Sequence, residues 1–214
     1  VRSLLKTRVP GQLIVQVTDK CNARCPQCGM RATEKFPRTT LTVEAIKTML
    51  DAAPRHRVQA VSFTGGEPLL FLEEILELAR HAGRVGIPFV RTGTNGFIFR
   101  RWESADFGDR MHRLAERLAA TPVRNFWISI DSADAALHEE MRGFPGVVRR
   151  IEKALPIFHA HGIYPSANLG INRNMGGLLT RDLRPGDFAH RAAYLSSFAG
   201  SYRKAFRQFY RHII

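Results

Sequence analysis

The chain has 214 residues, 44% hydrophobic and 24% charged, which fits one globular domain with its own core. Lys and Arg total 32 against 19 Asp and Glu, so the formal net charge is +13 and favours anionic substrates or partners without indicating a fold. No run of about 18 apolar residues and no signal-peptide core is present, so we expect a cytoplasmic protein without a membrane span.

Apolar, β-branched runs alternate along most of the chain with segments of helical spacing. The predicted strands cover residues 12–17, 58–63, 88–92, 125–130 and 164–171. The predicted helices cover residues 42–53, 71–85, 109–120 and 146–161. This alternation is typical of βαβ units and a parallel sheet. The sequence therefore predicts an α/β fold, either an open doubly wound sheet or part of a (βα) barrel.

The pattern changes after residue 171. Residues 172–186 are rich in Asn, Gly, Arg and Pro, which predicts a loop. From about Asp187 the spacing predicts a basic amphipathic helix, whose apolar stripe comprises Leu195, Phe198, Tyr202, Phe206, Phe209 and Ile213. Such helices bind membranes or nucleic acid, but more often they cover a sheet, as we expect here. We divide the chain into a lead-in (1–11), a core (12–175) and a loop with a C-terminal helix (176–214).

Each predicted strand runs into a polar or glycine-rich peptide. In strand order, these peptides carry Cys21, Cys25 and Cys28; Gly65, Gly66, Glu67 and Pro68; Asn95; Ser129 and Asp131; and Asn168, Asn172 and Asn174. Ligands bind at the carboxyl ends of the strands in parallel α/β folds. We therefore expect these peptides to converge on one site.

The three cysteines lie within eight residues, spaced C-x3-C-x2-C. An odd number so close together argues against a disulfide framework and for a reducing compartment. Three thiolates on one loop favour a soft metal or an iron–sulfur cluster, in which a fourth iron stays open to a small molecule. Lys20 and Arg24 would offset the negative charge. The alternative is a zinc site completed by a distant histidine, although no second C-x2-C pair is present.

This cysteine loop after the first strand, with Gly65-Gly66-Glu67-Pro68 after the second, resembles the signature of the radical S-adenosylmethionine (radical SAM) superfamily. The resemblance covers roughly residues 12–174. It implies a [4Fe-4S] cluster on Cys21, Cys25 and Cys28, with S-adenosylmethionine chelated at the fourth iron. It also implies a partial (βα)6-type TIM-like barrel of parallel strands. We find five of the six units, so we expect truncation after the fifth.

The resemblance further implies the cofactor contacts. The segment Gly65–Pro68 would contact the methionine amino group, with Glu67 supporting the turn, and glycines there let the backbone approach a ligand. Ser129 and Asp131 would face the ribose. Each segment also has an ordinary structural explanation: a tight turn for the glycines and a helix N-cap for Asp131.

Three further residues are candidates for the same site. Arg142 resembles an arginine that contacts the cofactor carboxylate, for which a guanidinium fork is well shaped, or it lies at a solvated helix end. Asn95 and Asn168 are candidates for contact with cofactor or substrate, although Asn-Gly is also a routine turn. Gln27 departs from the family, in which an aromatic residue often precedes the third cysteine. No catalytic residue beyond the cluster ligands is identified.

The resemblance implies an enzyme that reductively cleaves S-adenosylmethionine to a 5′-deoxyadenosyl radical, which abstracts hydrogen from a substrate. It requires a one-electron reductant, such as flavodoxin or ferredoxin. The basic composition favours an anionic substrate. The alternative is a non-enzymatic nucleic-acid-binding module stapled by zinc or a cluster, which would bind RNA through the positive charge of the chain.

Overall fold

The structure is a computed structural model that describes residues 11–29, 37–100, 104–170 and 173–213. Its strands are β1 (Gly11–Thr18), β2 (Val58–Gly65), β3 (Phe89–Thr94), β4 (Val123–Ile130) and β5 (Ser166–Leu169). Its helices are α1 (Val43–Ala52), α2 (Leu72–Arg84), α3 (Phe107–Ala119), α4 (Ala135–Arg142), α5 (Val147–Ala160), α6 (Leu178–Arg181) and α7 (Arg191–Ile213).

The five strands form one parallel sheet in the order β1-β2-β3-β4-β5. Each strand is therefore added beside the preceding one. Right-handed crossovers in a constant direction place the connecting helices on one face of the sheet, as in a (βα) barrel. A doubly wound sheet would instead reverse its strand order at a switch point. The order confirms the prediction of a partial TIM-like barrel and excludes the doubly wound alternative.

The hydrophobic core lies between the sheet and its helices. In β1, Val15 and Val17 are buried, whereas Ile14 and Gln16 on the opposite face are exposed. This alternation follows from the two-residue period of a strand. One side of β1 is thus apolar and packed in the core, and the other side is exposed.

Helix α4 was not predicted as an element. A helix end is one possibility for Arg142 from the sequence, but no predicted helix covers this segment. The structure instead shows a helix whose N-cap is Asp134, with the carboxylate accepting from Leu137 N at 3.2 Å. Gly143 follows it at φ 70°, the left-handed conformation that ends many helices. The helix escaped prediction because eight residues offer too little periodicity.

The region after β5 also differs from expectation. The predicted loop 172–186 contains a 3-10 helix (Arg173–Gly176), the single turn α6 and the start of a second 3-10 helix (Pro185–Asp187). These elements show that only part of the segment is irregular. Asn172 and residues 1–10 of the predicted lead-in lie outside the described residues.

Helix α7 confirms the predicted helix, but its apolar stripe is only partly buried. It packs against α6 and the 3-10 helix Arg173–Gly176. Phe209 is buried, whereas Leu195 and Phe206 are exposed by 50% and 42%. Across the described ranges, the helices lack the combination of length and apolar character that crossing a bilayer requires.

The aromatic centre of the core supplies a test of the fold. Phe158 on α5 is fully buried, stacks on Phe126 with ring centroids 5.7 Å apart, and packs against Phe99. We predict that Phe158→Ala lowers the free energy of unfolding by about 3–5 kcal/mol, because it removes buried apolar area and leaves a cavity. Urea denaturation measures this value. Phe89→Ala on β3, where the ring is 57% exposed, should cost under about 1 kcal/mol. Equal losses would contradict the assignment of the core.

Candidate functional site

The peptides that follow β1 to β4 line one cavity of about 450 Å³. Of the predicted site residues, seven line it: Cys21, Cys25, Cys28, Gly66, Asn95, Asp131 and Arg142. Lys20, Arg24 and Arg38 add positive charge to its wall. The structure thus brings residues up to 121 positions apart (21 to 142) to the same edge of the sheet.

The three cysteines are free thiols in different environments. Cys25 is buried, Cys28 is half-buried and Cys21 is exposed. A turn in which Cys28 N donates to Cys25 O at 3.1 Å holds the second and third cysteines together. Burial raises the pKa of the Cys25 thiol, although the charge of Arg142 opposes the shift.

The donor set fits an iron–sulfur cluster, because cysteine thiolates are the ligands that such clusters take. Within the described ranges, no three His, Cys, Asp or Glu side chains are gathered closely enough to hold a single metal ion. The thiols therefore share the cavity without being assembled around one ion.

Glu67 lies beneath the cavity and connects three strand ends. Its Oε2 accepts from Asn95 N at 2.6 Å, and its Oε1 accepts from Leu69 N at 3.1 Å. Its own backbone N donates to Lys20 O at 2.9 Å. The side chain is fully buried, and burial raises the pKa of Glu67 to about 7, although the hydrogen bonds from Asn95 and Leu69 oppose the shift.

Gly65 and Gly66 are required by the approach of the cysteine loop. A Cβ on Gly65, whose φ is +149°, would lie 2.3 Å from Thr18 O, and a Cβ on Gly66 would lie 2.2 Å from Lys20 O. We expected these glycines to admit a ligand. The backbone that comes closest is that of the chain itself, and Gly66 additionally lines the cavity. Pro68 is buried at the start of the 3-10 helix Pro68–Phe71.

Asp131 and Arg142 form a largely buried, bidentate ion pair. Arg142 Nε donates to Asp131 Oδ2 at 2.5 Å, and Nη2 donates to Oδ1 at 2.9 Å. Asp131 is therefore not the helix N-cap that the sequence left open, and Arg142 is not a solvated helix end. Burial alone would raise the pKa of Asp131, but the neighbouring His138 ring and Arg142 hold it below its ordinary value.

His138 and Gln27 carry buried polar atoms that the sequence did not single out as site groups. The Nδ1 atom of His138, rather than its Nε2, faces Asp131, at 3.2 Å from the backbone N and 3.7 Å from Oδ2. Neither that Nε2 nor Gln27 Oε1 has a partner among the described residues, and Gln27 lines the cavity. Arg38 also lines it, and no motif in the sequence pointed to this residue.

Besides Gly65, Glu67 and Pro68, two further predicted residues do not line the cavity. Ser129 on β4 and Asn168 on β5 are partners in the strand register, and Asn168 is exposed. Ser129 lies two positions before Asp131, which lines the cavity. The proposed contact of Ser129 and Asn168 with cofactor or substrate therefore stays a prediction.

Comparison with known proteins gives a consistent result. A family model described as the Radical SAM superfamily matches residues 15–180. An AdoMet-dependent heme synthase from Methanosarcina barkeri is 28% identical over 144 residues, which cover 67% of this chain and 38% of that protein. A GTP 3′,8-cyclase from Nitrobacter hamburgensis is 26% identical over 172 residues, which cover 78% of this chain and 46% of that protein. The chain thus spans less than half the length of these relatives.

A solved structure described as "Native anSMEcpe with bound AdoMet" has a TM-score of 0.60 at 15% identity. The likeness covers 93% of this chain and 60% of that chain. At this identity, the comparison bears on the fold, and it supports the barrel-type architecture.

The buried carboxylate predicts a pH dependence of stability. Because the pKa of Glu67 is about 7 in the folded chain against an ordinary 4.5, the unfolded chain loses this proton first as pH rises. The free energy of unfolding should therefore fall between pH 5 and 8, by on the order of 2–3 kcal/mol from this group. Urea denaturation at both pH values should show that Glu67→Gln removes this pH-dependent fall in the free energy of unfolding. The exposed control Glu152→Gln should keep it, and identical pH profiles for Glu67→Gln and wild type would refute the assignment.

The glycine contacts predict a second effect on stability. Gly66→Ala should lower the free energy of unfolding by about 1–3 kcal/mol, because its Cβ meets Lys20 O at 2.2 Å. Gly108→Ala on α3 is the matched control, since a Cβ there meets nothing within 4 Å and alanine favours a helix. Chemical denaturation at one pH compares the two. A Gly66→Ala chain as stable as Gly108→Ala would contradict the close approach.

Proposed function

This chain belongs to the radical SAM superfamily, and we propose from that premise that it reductively cleaves S-adenosylmethionine at a [4Fe-4S] cluster held by Cys21, Cys25 and Cys28. When bound, the cluster and S-adenosylmethionine supply a 5′-deoxyadenosyl radical that abstracts hydrogen from a substrate. The observation that carries the proposal is the convergence of the three cysteines with the ends of β2, β3 and β4 on one cavity. We assign this chemistry to residues 12–175.

Arg142 is the proposed contact for the carboxylate of S-adenosylmethionine. It lines the cavity with 13% of its side chain exposed, and Asp131 engages its Nε and Nη2. Within the part of the chain that the structure describes, Nη1 meets no acceptor, so its hydrogens are available to a ligand. Asp131 then acts by fixing the plane of the guanidinium group, rather than by contacting the ribose with a free carboxylate.

Another polar group in the cavity supports a ligand that carries N–H donors. Gln27 Oε1 is a buried acceptor on the cavity wall without a partner among the described residues, and an N–H group of bound S-adenosylmethionine would satisfy it. We propose Gly66 and its neighbours Gly65, Glu67 and Pro68 as the segment near the methionine amino group. Ser129 and Asn168 are proposed to face the substrate end of the site.

The charge of the cavity supports an anionic substrate. Among the described residues, Lys20, Arg24, Arg38 and Arg142 line it against one carboxylate, that of Asp131. We further propose a flavodoxin- or ferredoxin-type reductant. We also propose a cytoplasmic location, because the three cysteines are free thiols, as is usual in a reducing compartment. The alternative of a zinc- or cluster-stapled nucleic-acid-binding module is not favoured, because the chain matches a family of enzymes.

Anaerobic reconstitution with iron and sulfide, followed by dithionite and S-adenosylmethionine, tests the function. We expect wild type to bind a four-iron cluster and to form 5′-deoxyadenosine, measured by chromatography. Cys25→Ala should lose both, because three thiolates are needed to hold the cluster. Circular dichroism checks that the variant is folded.

Two results would count against the proposal. If wild-type protein binds a four-iron cluster but forms no 5′-deoxyadenosine, the proposed cleavage of S-adenosylmethionine is wrong. Bound zinc, together with RNA binding that falls steeply with salt, would favour the nucleic-acid-binding module instead.

A further inference from the structure

One cysteine sulfur receives a hydrogen bond from outside the cysteine loop. Asn95 Nδ2, at the end of β3, lies 3.5 Å from Cys21 Sγ. The backbone N of Ala23 lies 3.4 Å from the same sulfur. From the part of the chain that the structure describes, no donor reaches the sulfurs of Cys25 or Cys28. Cys21 is thus distinguished by two N–H groups.

The orientation of the Asn95 amide is fixed by its other contacts. Its Oδ1 accepts from Phe97 N at 2.9 Å, so the oxygen and nitrogen of the amide cannot exchange places without losing that bond. The second Nδ2 hydrogen is directed to Asn22 Oδ1 at 3.0 Å. The backbone N of Asn95 donates to Glu67 Oε2, and the residue is only 5% exposed. A buried framework therefore directs this N–H group at Cys21.

Hydrogen bonds to cluster sulfurs change the reduction potential of the cluster. Reduction adds one electron, and therefore negative charge, to the cluster and its thiolates. An N–H donor stabilises the more negative state more strongly, so each such bond raises the potential. The electron comes from dithionite or from a reductant of the flavodoxin class, and no covalent bond is made or broken in this step.

We propose that Asn95 is a positioning residue that raises the reduction potential of the cluster through its hydrogen bond to Cys21. The inference rests on the proposed function, because it requires the cluster. It gives Asn95 a role different from the direct cofactor contact expected from the sequence. It also connects the cluster to Glu67, which holds the backbone of Asn95 in place.

The midpoint potential of the reconstituted full chain, measured without S-adenosylmethionine by a redox titration followed by electron paramagnetic resonance, tests the proposal. In Asn95→Ala, the ratio of reduced to oxidised cluster at a fixed potential should fall about three- to tenfold, the usual effect of one hydrogen bond. A tenfold fall corresponds to a shift of about 59 mV to more negative potential for a one-electron couple.

Two other variants sharpen the test. Asn95→Asp keeps an acceptor for Phe97 N but replaces the donor beside Cys21 with a negative charge, so its potential should fall at least as far as that of Asn95→Ala. Asn125→Ala is the matched control. Asn125 lies near the amino end of β4, where its Nδ2 donates to Ser166 Oγ at 2.9 Å, and its loss should leave the potential unchanged.

The outcomes separate this inference from the proposed function. Wild-type protein that assembles no four-iron cluster would overturn the proposed function. Clusters that form in wild type and in the Asn95 variants with equal potentials would overturn only the role of Asn95. If both Asn95 variants fold but hold no cluster, Asn95 is needed to bind the cluster rather than to raise its reduction potential, and the proposal also fails.

Discussion

The site depends on the buried carboxylate of Glu67. It accepts hydrogen bonds from the backbone of the β2 and β3 ends, and its own backbone N donates to the cysteine loop. Hydrogen bonds to a charged group are worth about 1.5–3 kcal/mol each, and a buried carboxylate without donors is costly. These bonds therefore offset part of the cost of burial, which still leaves the pKa of Glu67 raised, and they fix three strand ends relative to one another. The positions of Cys21 and Asn95 follow from that constraint.

The chemistry of the cavity follows from how closely the backbone packs behind it. Because Gly65 and Gly66 lack a Cβ, the loop after β1 lies directly against the end of β2, and the cysteines of that loop line the cavity. The buried Asp131–Arg142 pair then fixes a guanidinium group in the wall of the same cavity. The resulting cavity combines thiols with cationic side chains.

Much of the fold was predictable, because its signals are local. Alternating apolar runs predicted all five strands, and Thr42, Ile46 and Leu50 carry both the cap and the buried face of α1. Helix α4 was missed because eight residues give a weak period, and the segment after β5 because short helical turns look like a loop. The site was predictable as a convergence of strand ends, since parallel strands end at the same edge.

The sequence by itself determined the ligand chemistry: three thiols at C-x3-C-x2-C spacing and a glycine-rich turn after the second strand. Tertiary structure decided the role of each neighbour. Only packing places Asn95 against Cys21, 74 positions away, and turns Asp131 from a candidate N-cap into the partner of Arg142. Spacing specifies which residues share an element. Contacts between elements depend on strand register and backbone approach, which no local pattern encodes.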